Sequence, residues 1–431
     1  MILKLPSFIT NNLILKITSL NSVVVGARLV ISLVVQNLLA QYTGQSGIAK
    51  VGQIRNLSGI LTSLSSFGLF NGIVKYISDY KQDEDGLKKL FSTVFVLSTI
   101  ATLVLSLGLF FWAKSISKWL LFSEEYQLIF KLLAVVVPCI AMNRIFYGII
   151  SGLSAYKINA KIEIIWYSLA SLLLVVSLLY HNILGVLIAI ALTPAIQFLI
   201  TLFIFGRTIK EYINFKRLKF QAPMLRVLLG YTLVSFVATV CSNLVDINFR
   251  TSISERLSEN DAGIWTAMSS ISKIYMQFIL AVFSLYILPK YAELTSSFEF
   301  RAELKSIYTS LVPLVIIGMI LVYVLKDFIV LIIYNETFLA MSLLFKWQLL
   351  ADFVRFMANI LSFKFLAKKQ ISYFVGTQLL GLLLYYGFGQ KLIETNQTEG
   401  VVMALFFSNL IYLGVVITIL RNDLFGQNRP L

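Results

Sequence analysis

Residues 263–291 read GIWTAMSSISKIYMQFILAVFSLYILPKY. The run is apolar and exceeds the roughly 20 residues that a helix needs to cross a bilayer. Within it, Thr266, Ser270, Lys273 and Gln277 recur every three or four positions, which is one face of a helix. A lysine on a spanning helix costs roughly 2.5–3.5 kcal/mol if it meets lipid, so this face is expected to look onto a wet, polar interior. The same stretch also opens a repeat. Gly263-Ile264, Lys290-Tyr291 and, further on, Leu304-Lys305 match Gly47-Ile48, Lys75-Tyr76 and Leu87-Lys88 in the same order, about 215 to 217 residues apart. The chain therefore reads as two related halves.

Composition agrees. The 431 residues are 58% hydrophobic and 13% charged, against about 25% charged in soluble domains. Apolar runs of spanning length recur about twelve times, near 13–40, 49–76, 90–112, 127–151, 160–180, 183–205, 226–253, 262–289, 306–325, 338–365, 371–390 and 398–420. The expected fold is an all-α polytopic membrane protein of about twelve transmembrane helices. The most basic connection divides it into an N-terminal six-helix lobe (1–206), a basic cytoplasmic linker (207–225) and a C-terminal six-helix lobe (226–431). Six spans per half preserve orientation, so the lobes are expected to be parallel repeats about an axis along the membrane normal, an arrangement in which transporters bind substrate between the repeats.

The net charge of +15 would suggest nucleic acid in a soluble protein. Here most Lys and Arg sit in short connections, where they set topology, and nucleic acid binding is not expected. With the N-terminus inside, the inner segments hold about 21 Lys and Arg and the outer ones about 7. Both termini are expected in the cytoplasm. The first apolar run shows no small-residue cleavage site and is expected to be retained. Cys139 and Cys241 lie in apolar runs and are expected to pack in the core. His181, the one histidine, falls in a short connection and offers no metal cluster. No Walker motif is present, and no cofactor is expected.

Four other spans carry a polar face like that of residues 263–291. These are Asn21, Arg28, Ser32 and Gln36; Arg55, Gly59, Thr62 and Ser66; Ser235, Thr239, Ser242, Asp246 and Arg250; and Gln348, Asp352, Arg355 and Asn359. The first two spans of each half are expected to turn these faces toward a central cavity. Arg28 and Arg355 lie near mid-span and are expected to face it. For Arg55 and Arg250, near outer ends, a cavity role and snorkelling stand about even. Lys131 and Arg144 are expected to snorkel or pair locally. Asp246–Arg250 and Asp352–Arg355 are neighbours on one helix, and each pair is open to two readings, self-neutralisation or ion coupling. Five cations (Arg28, Arg55, Arg250, Lys273 and Arg355) oppose two carboxylates (Asp246 and Asp352). Such a cavity focuses anions, and arginine suits phosphate oxygens through its fork.

The block Gly263–Lys273 with Tyr275–Phe278 and Phe283–Pro289, together with Gly68–Tyr76 and Phe345–Asp352, resembles the bacterial polysaccharide flippases, in particular the O-antigen translocase group of the multidrug, oligosaccharidyl-lipid and polysaccharide exporter superfamily. The resemblance implies a MATE-like fold of two V-shaped lobes and a substrate consisting of an oligosaccharide on undecaprenyl pyrophosphate, moved from the cytoplasmic to the periplasmic leaflet of the inner membrane. It implies membrane lipid as surroundings and the polysaccharide polymerase and chain-length machinery as neighbours. Arg28, Arg55, Arg250 and Arg355 match positions that carry basic residues in the family, whereas Lys273 stands where an acid is expected.

The expected mechanism is alternating access. Arg28, Arg55, Lys273 and Arg355 would neutralise the pyrophosphate, with Arg250 near the outer exit. Asn71, Gln277, Gln348 and Trp347 would meet the sugars. Trp265 is expected to be an interfacial anchor. A proton or sodium gradient would act at Asp246 or Asp352. Two rivals remain: a cation-coupled drug exporter, which needs an acid-dominated cavity, and a membrane enzyme that polymerises lipid-linked glycan, which needs larger outer loops than these.

Overall fold

The computed structural model describes residues 13–81, 83–212 and 221–427, without the side chains of 13–25, 181, 209–212, 281, 284 and 285. Asn21 and His181 as side chains, and residues 213–220 of the basic linker, thus lie outside the described residues. In chain order the helices are α1 (Leu13–Ser65), α2 (Phe70–Asp79), α3 (Glu84–Phe111), α4 (Ala113–Leu121), α5 (Gln127–Gly152), α6 (Tyr156–Tyr212), α7 (Leu225–Ser235), α8 (Ser242–Arg256), α9 (Glu259–Val282), α10 (Leu288–Glu293), α11 (Ser297–Val324), α12 (Lys326–Ile333), α13 (Phe345–Ala367), α14 (Ile371–Ile419) and α15 (Arg421–Phe425). Wider π-helical turns join α7 to α8 (Phe236–Cys241) and α9 to α10 (Phe283–Ile287).

Among the described residues, seven helices are long and apolar enough to cross a membrane, or eight if the bent pair Gly26–Ser65 and Phe70–Asp79 forms one span. Three of the longest helices are broken by a single residue: α1 at Gly44 (φ 62°), α6 at Asn182 (φ 51°) and α14 at Gln397 (φ 51°). These breaks fall at expected connections between spans. The chain doubles back at Gln397, since Gln378 Nε2 donates to the Tyr412 hydroxyl at 2.9 Å across the two arms. α11 shows what faces lipid: Leu314, Ile317, Ile320, Leu321 and Val324 stand exposed along it.

The chain falls into two compact units, Met1–Tyr42 with Ile54–Val240, and Thr43–Gln53 with Cys241–Leu431. In unit 1 the core gathers Ile73, Leu87, Phe91, Phe146, Phe205 and Leu228. In unit 2 it gathers Phe283, Tyr291, Phe300, Leu304, Phe356 and Tyr412. The sequence repeat lands on these cores. Leu87 and Leu304 are buried in one each, and Tyr76 packs against the first as Tyr291 does within the second.

Close helix approach in unit 1 rests on two glycines a turn apart on α5. A Cβ at Gly148 would come within 2.8 Å of Ile73, and one at Gly152 within 2.8 Å of Ile77. Small residues four apart let membrane helices meet backbone to side chain. In unit 2 the terminal helix α15 is clamped at two points: the buried Lys364 pairs with Asp423, and Arg301 donates to the Gly426 carbonyl at 2.6 Å. Replacing Gly148 by valine should overpack the α2–α5 contact and cost about 1–3 kcal/mol, read as a lower unfolding temperature of the detergent-purified protein. An unchanged midpoint would show that α2 can shift freely.

Candidate functional site

Unit 2 takes its polar centre from three segments. Residues 43–53, the start of the second arm of α1, lie against α8 and α9. Gln45 Nε2 donates to the Thr337 carbonyl at 2.5 Å, and Lys50 pairs with Glu259 at 2.5 Å. Gly263 is required there, because a Cβ would run into the Gln45 carbonyl. Arg250 closes the group. It is 2% exposed, donates through Nε to Thr266 Oγ1 at 2.7 Å and through a terminal nitrogen to Gln53 Oε1 at 2.8 Å, and lies 5.4 Å from the Trp265 ring centre. Gln53 extends the chain of bonds to Thr251 at 3.1 Å. Arg250 therefore neither snorkels nor pairs with Asp246 through a hydrogen bond. Trp265, also 2% exposed, packs edge-on against Phe249 instead of anchoring at an interface.

Asp246 accepts instead from Lys273 at 2.8 Å, and the Lys273 side chain keeps 61% of its surface exposed. Asp352 is buried and receives three donors on one oxygen: Ser272 Oγ at 2.6 Å, Gln348 Nε2 at 3.1 Å and the Tyr275 hydroxyl. The two helices α9 and α13 are joined by this cluster. Arg355, one turn further along α13, is exposed and makes no hydrogen bond or ion pair among the described residues. The helical neighbours Asp352 and Arg355 thus differ in burial and share no hydrogen bond among the described residues. Gln277 is exposed on α9. Trp347 donates to Glu399 at 2.7 Å and packs on Phe406 and Phe407.

Unit 1 holds the other expected residues. Arg28 pairs with Glu163 on α6, lies 5.0 Å from the Tyr167 ring centre and keeps 37% of its side chain exposed. Glu163 also accepts from the Tyr147 hydroxyl at 2.5 Å, and Asn159 Nδ2 donates to the same hydroxyl at 3.0 Å. Arg55 and Asn71 are exposed on this unit. Glu163 and Tyr147 were not among the residues expected from the sequence. Their signal is an acid inside an apolar run, with Asn159, Glu163 and Tyr167 spaced four apart on one helical face. Cys139 and Cys241 are free and half-buried, and no His, Cys, Asp or Glu cluster fit for a metal occurs among the described residues.

Each unit thus holds charged groups within apolar helices, some paired and some open. The fold matches solved transporters. An inward-facing MATE family transporter of the MOP superfamily superposes with a TM-score of 0.76 at 13% identity, covering 91% of this chain and 94% of that one. The lipid II flippase MurJ in an inward closed conformation superposes with 0.72 at 14%, covering 94% and 88%. The protein is thus an all-α, multi-pass membrane protein of the MATE and MurJ fold. Residues 14–295 match the polysaccharide biosynthesis protein family, and the chain belongs to it. It is 26% identical to the lipid III flippases of Escherichia coli (strain K12) and Shigella flexneri over 387 residues, 89% of this chain and 92% of each relative. These named relatives are flippases and transporters rather than enzymes.

Burial separates scaffold cations from open ones. Arg250→Ala should remove about 3 kcal/mol or more, since it strands buried partners. Lys273→Ala should cost under about 1 kcal/mol, as an exposed pair does. Thermal unfolding in detergent checks both, and equal losses would contradict the assignment of Arg250 to the scaffold.

Proposed function

We propose that this protein is a flippase, not an enzyme, that moves an undecaprenyl-pyrophosphate-linked oligosaccharide from the cytoplasmic to the periplasmic leaflet of the bacterial inner membrane by alternating access. The cargo is an O-antigen or related surface-polysaccharide repeat unit. The observation that carries this reading is the identity with the lipid III flippases along nearly the whole of both chains. The three-to-one excess of Lys and Arg in the expected inner segments supports cytoplasmic termini. The two lobes are taken as 1–206 and 226–431, joined by a cytoplasmic linker at 207–225.

The pyrophosphate is received by cations that can be freed for it. Arg355 is exposed and unpaired among the described residues, and Arg28 and Lys273 are each held by a single carboxylate, Glu163 and Asp246. Arg55 adds charge nearby in the sequence, and Arg250 holds the scaffold. A substrate dianion competes with a carboxylate for Arg28 or Lys273, so binding and release of charge are coupled. The sugars meet Asn71, Gln277 and Trp347, with Gln348 behind them in the Asp352 cluster. Asp246 and Asp352 are the carboxylates through which a proton or sodium gradient would act. The isoprenoid tail remains in lipid. A polymerase and chain-length proteins would take up the delivered unit.

Proteoliposomes carrying defined lipid-linked glycans, with and without a proton gradient, test this. Arg28→Ala and Arg355→Ala should each slow translocation about tenfold, the worth of one charge-assisted hydrogen bond. If both insert normally and translocate at the parental rate, the cationic reading fails. Drug efflux in place of glycan translocation would favour an exporter on the same fold. Asp352→Asn should abolish any dependence on the gradient while leaving downhill exchange measurable.

A further inference from the structure

A cavity of about 300 Å³ opens inside unit 1, lined by Thr62, Asn143, Arg144, Tyr147, Glu163 and Gln197 among others. Two of its polar groups are incompletely met. The Arg144 guanidinium lies 3.8 Å from the Phe70 ring centre and makes no hydrogen bond or ion pair among the described residues. Asn143 is 8% exposed. Its Nδ2 donates to the Pro194 carbonyl at 2.7 Å, while its Oδ1 is buried with no donor among the described residues. Glu163 does not answer Arg144, because its oxygens already accept from Arg28 and Tyr147.

A partly desolvated guanidinium without a counter-ion is costly to keep, and an unmet carboxamide oxygen adds to that cost. Both costs disappear if a ligand brings an oxyanion to the one and a hydroxyl to the other. Stacking on Phe70 uses the face of the guanidinium and leaves its edge free to donate. We propose that this cavity is a subsite for the anionic part of the carried glycolipid. The Arg144 fork takes two oxygens of a carboxylate or a phosphate, and Asn143 Oδ1 accepts a neighbouring hydroxyl. Gln197 and Thr62 offer further polar contacts. The proposal rests on the flippase reading and names where in the chain the charge of the cargo is read.

The test uses the purified full chain in nanodiscs and three probes: a glucuronic-acid disaccharide, its uncharged glucose counterpart, and farnesyl pyrophosphate. Wild type should bind one of the anionic probes at least about tenfold more tightly than the neutral sugar, and Arg144→Gln should remove that preference. Loss confined to the acidic disaccharide assigns the site to a sugar carboxylate, and loss confined to farnesyl pyrophosphate assigns it to the carrier phosphate. Arg144→Lys, which keeps the charge but not the fork, should retain part of the preference, and it serves if Arg144→Gln does not fold. The proposal is overturned if neither anion binds wild type, or if a folded Arg144 variant lacking the fork binds both as wild type does. Translocation by wild type with an unaffected Arg144→Gln would sink the subsite alone. Absence of glycan translocation by wild type would instead sink the flippase reading and leave the binding result standing.

Discussion

A bilayer gives a buried charge no partner, and an isolated cation inside it is stable only where the protein answers it. This chain answers in four ways. Arg250 is met by neutral oxygens on Gln53 and Thr266. Lys364 is met by the buried Asp423. Arg28 is met by one carboxylate and an aromatic ring at a half-open position. Arg144 is met only by the face of Phe70 among the described residues. The first two cations are buried and belong to the scaffold. The last two are only partly buried, and that difference in burial divides residues that hold the fold from residues left available to cargo.

The long spans were legible because composition alone demands them, and Gly44, Asn182 and Gln397 break their helices where polar stretches interrupt apolar runs. Leu87 and Leu304, one pair of the sequence repeat, are each buried in one of the two cores. Partner choice was less legible. Spacing on one helix pointed to Asp246–Arg250 and Asp352–Arg355, but both carboxylates are bonded from α9, by Lys273 in one case and by Ser272 and Tyr275 in the other. The rule for neighbours on a helix is worth only a few tenths of a kcal/mol, and a well-placed donor on another helix outweighs it. The stripe running through Ser235, Thr239, Ser242, Asp246 and Arg250 also assumed an unbroken 3.6-residue period. The π-turn at Phe236–Cys241 interrupts that period within the stripe.

The overall fold is shared with a MATE transporter and with MurJ at 13–14% identity. Chemistry is not carried by that likeness, because folds host many functions and the site decides among them. In this chain the charges comprise carboxylates engaged by hydroxyls, amides and a lysine, and arginines of graded exposure. Aromatic side chains do part of the work that counter-ions would do in a soluble protein.

The break at Gly44 has a consequence in time. Residues 43–53 leave the ribosome early, yet Gln53 finds Arg250 only 197 residues later. At about 5–20 residues per second, that is a wait of roughly 10–40 s during which the carboxamide of Gln53 and the ammonium of Lys50 have neither their final partners nor a packed unit around them. The second compact unit cannot close on its own sequence, because it is completed by a strip synthesised before most of the first. Assembly of this protein in the membrane therefore has an enforced order, in which an early strip, residues 43–53, waits for the rest of the unit that it completes.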